Sequence, residues 1–383
     1  MLRLRRTIAA LAVSAAAVFG TVGATFADSQ TPVTGPPPGS AAWVADTTLG
    51  IRLPDPATAS PAEVAALFDE LPLAQQQALA VRHPLVVGNL DGAPVKLRFR
   101  ANALALAEER DKALADPKGA AAAARYGALL ADGRQILAFD PRGRGQVAEV
   151  LGDLTTATRT AVIVPGNDND LADFDRPSAP GASPAAMAAA LHAELARDSP
   201  AVRTAVIAWV GYTTPVGVGT DAATAPLARA GAVRLERFLS GLAATTRAPA
   251  TVFCHSYGSV LCGLAAPALT PGQAAGLVVL GSPGMRADSA AGLHARIPLW
   301  ATALDRDDWI REVPNVSLLG LGHGADPTGP GFGARVLSSA GAHGHSGYFA
   351  PGTDSLASYA AITVGDLSAV HCSTTDKECT DGL

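Results

Sequence analysis

Between residues 134 and 304 the chain alternates short aliphatic and β-branched runs with longer segments whose apolar positions recur at helical spacing. The runs are "TAVIVPG" (160–166), "RTAVIAWVG" (203–211), "ATVFCHS" (250–256), "AGLVVLGSPG" (275–284) and "RIPLWATAL" (296–304), and helix-like segments occupy 185–197, 222–245 and 260–268. Strands that are apolar on both faces and separated by helices predict a mostly parallel sheet with helices on either side. Just ahead of them "RQILAFD" and "QVAEVLGDL", joined by "PRGRG", predict a hairpin. After residue 334 a strand-like run and a helix starting near Ser355 close the pattern.

The first third reads differently. "SPAEVAALFDELPLAQQQALAVR" begins with Ser60 at an N-cap, Pro61 at the first helical position and Glu63 at the third, the spelling of a capping box, and Pro72 divides it into two short helices. A turn at Asp91-Gly92 and a helix running through Asp111 follow. The organisation expected is therefore a signal segment at 1–27, a flexible Pro/Ser-rich lead-in at 28–59, a helical N-terminal segment at 60–133 packed on a catalytic domain at 134–370, and a short tail at 371–383.

Composition narrows the class. With 383 residues and 48% apolar content there is ample material for a large core, and a net charge of −5 with well-mixed signs offers no basic stripe for nucleic acid. Arg3, Arg5 and Arg6 precede an apolar stretch from Ile8 to Phe19 and then small residues at Ala24 and Ala27, the layout of a secretory signal cut after one of those alanines. No later stretch approaches the ~20 apolar residues of a spanning helix, so the expectation is a secreted protein without a transmembrane segment. Export permits disulfides. Cys372 and Cys379 bracket "STTDKE" as a short-loop pair, while Cys254 and Cys262 read either as a pair or as two small buried thiols. No His or Cys pair has metal-ligand spacing, and no metal is expected.

Candidate chemistry centres on "TVFCHSYGSVLCG" (251–263), where Ser256 falls between a strand-like and a helix-like run. A nucleophile elbow requires small residues two places either side of the serine because strand and helix backbones meet there. Gly258 satisfies one side; Cys254 stands where glycine is usual. A base and an orienting acid should follow in the order Ser, Asp, His, each after a later strand. "RIPLWATALDRDDWIREVP" supplies Asp308, with Asp307 in reserve, and "AGAHGHSGYF" supplies His345, with His343 and His323 as competitors. The backbone N–H groups of Tyr257 and of Asn167, in "VIVPGNDND", are the expected oxyanion donors. Loops 167–184 and 211–226 should roof the pocket, and Phe174, Trp209, Tyr212, Trp309, Tyr348 and Phe349 are candidates for an apolar acyl site.

Taken together, "HPLVVGNLDGAPVKLRFRAN" (83–102), "VIVPG" (162–166), "AWVGYTTP" (208–215), "CHSYGS" (254–259), "GSPG" (281–284), "HGADPTGPGFGARV" (323–336) and "GHSGYFAPGTDSL" (344–356) resemble the actinobacterial α/β-hydrolase family DUF1023, also called alpha/beta hydrolase family 8. The resemblance implies an α/β-hydrolase fold, Ser256 as nucleophile, His345 as base, Asp308 in the acid loop and no cofactor. The expected activity is hydrolysis of a carboxylic ester, less readily an amide, of a small-molecule or lipid-like acyl substrate. Two other readings compete: an exported binding module with an inert serine, and an acyltransferase of the cell envelope.

Overall fold

The computed structural model describes residues 29–176 and 181–382; the expected signal segment lies outside them. Six helices come first: α1 (Ser40–Val44), α2 (Pro61–Glu70), α3 (Leu73–Arg82), α4 (Pro84–Asn89), α5 (Val95–Ala115) and α6 (Ala120–Leu129). Then come β1 (Gln135–Asp140), β2 (Gln146–Gly152), β3 (Arg159–Val164), α7 (Pro184–Asp198), β4 (Thr204–Val210), α8 (Thr220–Ala223), α9 (Pro226–Thr245), β5 (Ala250–His255), α10 (Gly258–Ala265), β6 (Ala274–Leu280), β7 (Leu299–Thr302), β8 (Arg335–Leu337) and α11 (Asp354–Val364).

The eight strands form one sheet in the order β1-β2-β4-β3-β5-β6-β7-β8. β2 runs antiparallel to both of its neighbours and all other pairs are parallel, so β2 alone is reversed. Alternation along each strand sorts side chains to two faces. Val162, Val164, Ile207, Trp209 and Val252 pack with α9 and α10 on one face, while Ala161, Ile163, Val206, Ala208 and Phe253 pack with α7 and α11 on the other. Because both faces are covered, these strands lack a polar face, which is why they read as continuous apolar runs.

The helical first third has a core of its own, built on Trp43, Val64, Phe68, Leu79 and Val87. The Ser60–Glu63 capping box forms, and Pro72 separates α2 from α3. α5 joins this core to the sheet, contributing Leu97 and Ala101 to the first and Leu106 to the α7 side of the second. Asn89 accepts from the Phe139 N–H at 3.0 Å and donates to the Phe139 carbonyl at 2.5 Å, and Asn102 donates to the Ile136 carbonyl at 3.0 Å. These two amides supply partners along β1, the edge of the sheet that would otherwise present open backbone groups.

Residues 29–59 differ from the flexible lead-in expected of them. Trp43 is fully buried, with its indole N–H donating to the Pro54 carbonyl at 2.7 Å, and Leu53 is buried beside it. Ser29 and Gln30 bond to Asp221, and the Val33 N–H to Thr213. Trp43 and Leu53, together with these hydrogen bonds, hold the proline-rich segment down, the Trp side chain removing the most apolar area from water.

The tail is attached at the opposite edge. Cys372 and Cys379 are disulfide-bonded, and backbone bonds from Ser338 to His371 and from Ser373 to Val336 lay the tail against β8. No helix among the described residues is long and apolar enough to cross a membrane.

Candidate active site

Ser256 follows β5 directly and sits at φ 54°, the left-handed region that a non-glycine residue occupies only under constraint. Three features impose it. The Ser256 N–H is held by the Leu280 carbonyl at 3.0 Å, and the chain then turns at once into α10, whose N-cap is Tyr257. Gly258 presses against the end of β3, where a Cβ would lie 2.5 Å from the Val164 carbonyl oxygen; hence the requirement for glycine at that place. Cys254, on the other side, sends its side chain into the core and is disulfide-bonded to Cys262, so the strand and the helix flanking the serine are covalently joined. Of the two readings open for this cysteine pair, the bonded one is found.

The hydroxyl meets a histidine 89 residues away. His345 Nε2 lies 2.8 Å from Ser256 Oγ, and His345 Nδ1 lies 2.9 Å from Asp308 Oδ1. Asp308 caps the short 3₁₀ turn Trp309–Glu312 after β7, accepting from the Ile310 N–H at 3.0 Å, and its second oxygen accepts from the Tyr348 hydroxyl at 2.6 Å. Burial works to raise the Asp308 carboxyl's pKa, but the hydrogen bond and charge of His345, followed by the Tyr348 and Ile310 bonds, outweigh it and hold the group below the ordinary carboxylate range. The order of the chain, serine then aspartate then histidine, becomes one continuous hydrogen-bonded line.

The other candidates fall elsewhere. Asp307 is exposed and bonds locally. His323 is buried with Nε2 at 2.7 Å from the Ala222 carbonyl, and its ring stands edge-on to Tyr257. His343 is exposed and lies near Asp305 and Asp307, with ligand atoms of all three within 4.8 Å of one another, a surface grouping that no spacing in the sequence announces. Asp305 has a separate function in the loop: its carboxylate accepts from the Gly344 N–H at 2.8 Å, which fixes the residue just before His345.

The expected oxyanion donors border the nucleophile. Gly166 is packed so tightly that a Cβ there would lie 2.5 Å from Ser256 Cβ and 2.9 Å from the Tyr257 nitrogen. Among the described residues, neither the Tyr257 nor the Asn167 backbone N–H donates to a protein acceptor. The loop that carries Asn167 is tied to the β4–α8 loop by Asp168 N–H to the Pro215 carbonyl (2.9 Å), by Gly217 N–H to Asp168 (2.8 Å) and by Asn167 Nδ2 to the Gly217 carbonyl (2.6 Å).

His255 is the residue that nothing in the sequence pattern singled out. It donates from Nε2 to the His345 carbonyl at 2.7 Å, and its ring lies 4.8 Å from that of His345. The Trp309 ring lies at the same distance, tilted by 51°, so the imidazole of His345 has two rings packed against it. Burial, reinforced by the neighbouring His345, pushes His255 down to about 3, so that it stays neutral and can keep its Nε2 proton on the carbonyl. A histidine beside a candidate nucleophile was the available signal; its partner, a carbonyl 90 residues on, was not.

Above the serine is a cavity of about 250 Å³. Asn167, Asn169, Arg176 and Ser183 come from the first roof loop, Val218 from the second, and Trp309 and Ser346 complete the rim. The aromatic acyl site expected from the sequence is not there. Phe174, Trp209, Tyr212, Tyr348 and Phe349 are all buried in the core, and of the six only Trp309 reaches the cavity. Aromatic rings find more contact between helix and sheet than on a strand-end surface, and burial there removes more of their area from water.

A family model described as alpha/beta hydrolase matches residues 140–318. The matched region, a little under half of the chain, is similar to that of an alpha/beta hydrolase. Two uncharacterized proteins of Mycobacterium tuberculosis are each 31% identical over 395 aligned positions, which cover 84% of this chain and 58% of theirs. The chain thus spans a little over half the length of these curated relatives. Among solved structures, a 2,6-dihydroxy-pseudo-oxynicotine hydrolase is similar at 12% identity over 90% of this chain and 97% of that one, with a TM-score of 0.37, and the esterase domain of a Rhodothermus marinus protein at 14% identity over 60% of this chain and 92% of that one, with a TM-score of 0.27. The sheet, its flanking helices and the family match together make this an α/β-hydrolase fold.

Proposed function

We propose that this protein is a secreted serine hydrolase that cleaves carboxylic esters with compact, polar acyl groups. One observation carries the reading: an unbroken chain of contacts from Ser256 Oγ through the His345 ring to Asp308, with the serine strained on a strand-to-helix turn at the base of a cavity.

In the proposed reaction Ser256 Oγ attacks the ester carbonyl while its proton passes to His345 Nε2. The imidazolium so formed is offset by Asp308, whose ionised state the Tyr348 and Ile310 hydrogen bonds favour. The carbonyl oxygen gains charge beside the free N–H groups of Tyr257 and Asn167. His345 returns the proton to the leaving alkoxide, and the acyl group remains on Ser256. Water then attacks this acyl-enzyme, giving a proton to the same imidazole; the bond from the acyl carbon to Ser256 Oγ breaks as that proton passes to Oγ, and the acid leaves and ionises. The scheme draws only on groups of this chain.

Polar residues around the rim favour a polar acyl group over a long alkyl chain. The Asn167 side-chain oxygen is buried at the cavity wall with no partner among the described residues, and a hydroxyl or amide N–H on the substrate would satisfy it. Two disulfides support the export that the N-terminal residues suggest, since they persist in oxidising compartments.

A fluorophosphonate probe with peptide mapping tests the assignment directly, alongside hydrolysis of p-nitrophenyl esters. Labelling should fall on Ser256, and Ser256→Ala should lose both labelling and turnover. Equal turnover by the wild type and Ser256→Ala would overturn the proposal. Addition of alcohols with product analysis separates hydrolysis from acyl transfer.

A further inference from the structure

A second, larger cavity of about 350 Å³ lies between residues 33–37, the β1–β2 hairpin and α9, and the active-site reading leaves it without a use. Its charge is unbalanced. Asp91, fully buried, receives Arg98 at 3.3 Å, Arg237 at 3.7 Å and Arg234 in direct contact. Three guanidinium groups against one carboxylate leave an excess of two positive charges, and no other carboxylate among the described residues lies within 4 Å of any of the three. Arg234 and Arg237 both border the cavity, with side chains only about a quarter exposed (27% and 26%). The third cation lining it, Arg142, is already paired with Asp140.

Uncompensated charge is costly where water is scarce, and a site that keeps it is stable when an anion completes it. Two more donors in the cavity wall are idle. Gln146 Nε2 and Trp209 Nε1 are buried and have no acceptor among the described residues. Burial brings the Arg98 guanidinium down to about 10; the pull of Asp91 opposes the fall, and the repulsion of Arg234 and Arg237 adds to it. Much of the remaining wall is apolar, with Pro36, Pro37, Val147 and Val233, beside the polar Thr34 and Asn89.

We propose that this cavity binds a small organic oxyanion, its carboxylate or phosphate head held by Arg234 and Arg237 and its apolar part lying against the proline and valine wall. The volume is at the small end of ligand sites, enough for a short-chain molecule. Guanidinium groups suit this head because their paired N–H donors match the oxygens of either anion. The site is separate from Ser256 and does not depend on the hydrolase reading.

Isothermal titration of the folded chain with octanoate, inorganic phosphate and 1-octanol tests it. Octanoate should bind saturably and octanol should not; octanoate tighter than phosphate identifies a carboxylate with a tail, and phosphate tighter identifies a phosphate monoester. Arg237→Gln, which leaves the Arg234–Asp91 contact in place, should weaken the preferred anion at least tenfold. Ala57→Trp, which fills the cavity from its exposed wall and leaves every charge untouched, should abolish binding even where Arg237→Gln is poorly folded. Octanol binding as tightly as octanoate, anion binding unchanged in Ala57→Trp, or no saturable binding of octanoate or phosphate up to about 10 mM would overturn the proposal.

Discussion

Gly166→Ala probes the tightest contact beside the candidate nucleophile with one added methyl group. Gly166 has no positive φ, so its backbone accepts alanine and the whole effect comes from space. The new Cβ would stand 2.5 Å from Ser256 Cβ, and 2.9 Å from both Ser256 Oγ and the Tyr257 nitrogen. None of these is the far end of a flexible side chain. The elbow must move by several tenths of an ångström, or the loop carrying Asn167 must back away, and that loop is tied to residues 215–217 by three hydrogen bonds. Either movement takes an N–H donor out of reach of the oxyanion. Loss of one such donor costs about 3–4 kcal/mol of transition-state stabilisation, or roughly 10²–10³ in kcat, whereas overpacking of this kind costs about 1–3 kcal/mol of folding stability. The expectation is therefore a protein that still folds, with a thermal midpoint lowered by several degrees, and that hydrolyses p-nitrophenyl esters at least 10²-fold more slowly with little change in KM. Fluorophosphonate labelling rates give the same reading without reference to a substrate. Activity within threefold of the wild type at an unchanged thermal midpoint would refute the packing argument, because no arrangement could then hold glycine and serine this close.

Asp308→Asn should lower kcat by roughly 10⁴, as expected when the base loses its charged orienting partner, with KM nearly unchanged; a loss below tenfold in steady-state assays would remove Asp308 from the mechanism. Replacing Cys254 and Cys262 together by serine opens a link between residues eight apart and should cost about 2–3 kcal/mol on the chain-entropy account, read from denaturant melts, and should lower kcat more than it raises KM because the elbow loosens. His255, held near 3 when folded against the usual ~6.5 when unfolded, leaves the unfolded chain with the greater share of protons between those values. Its contribution is thus complete above about pH 6.5 and is lost as pH falls toward 3. His323, pushed down to about 4 chiefly by burial, adds to the slope in the same direction. His255→Gln, which removes one titrating group, should flatten the loss of stability across that range in urea melts taken at several pH values; an unchanged slope would contradict the burial argument.

The parallel strands were legible because a sheet covered on both sides demands apolar residues at every position, and runs such as Ala161–Val164 and Val252–Cys254 meet that demand without help from their neighbours. The capping box at Ser60 and the break at Pro72 were legible for a similar reason: both are settled within four or five residues. α1 was not, since five residues with a single aromatic make no period, and only the pocket that receives Trp43 makes them a helix worth burying.

In the candidate site the same division holds. Ser256, Asp308 and His345 were readable by type and order, because a strand end, a turn and a small residue are local requirements. Which aspartate faces the imidazole, and which rings are core and which line the cavity, depends on contacts between segments that the chain places tens of residues apart. His255 bonding to His345, Tyr348 bonding to Asp308, and three arginines gathered on Asp91 have no local signature at all. The sequence by itself determined the sheet, its helices and the residue types able to do the chemistry, since periodicity and turn propensity act over a few residues. Only the tertiary structure decided which of those residues meet, because hydrogen bonding and burial act over a few ångströms and distance along the chain says nothing about distance in space.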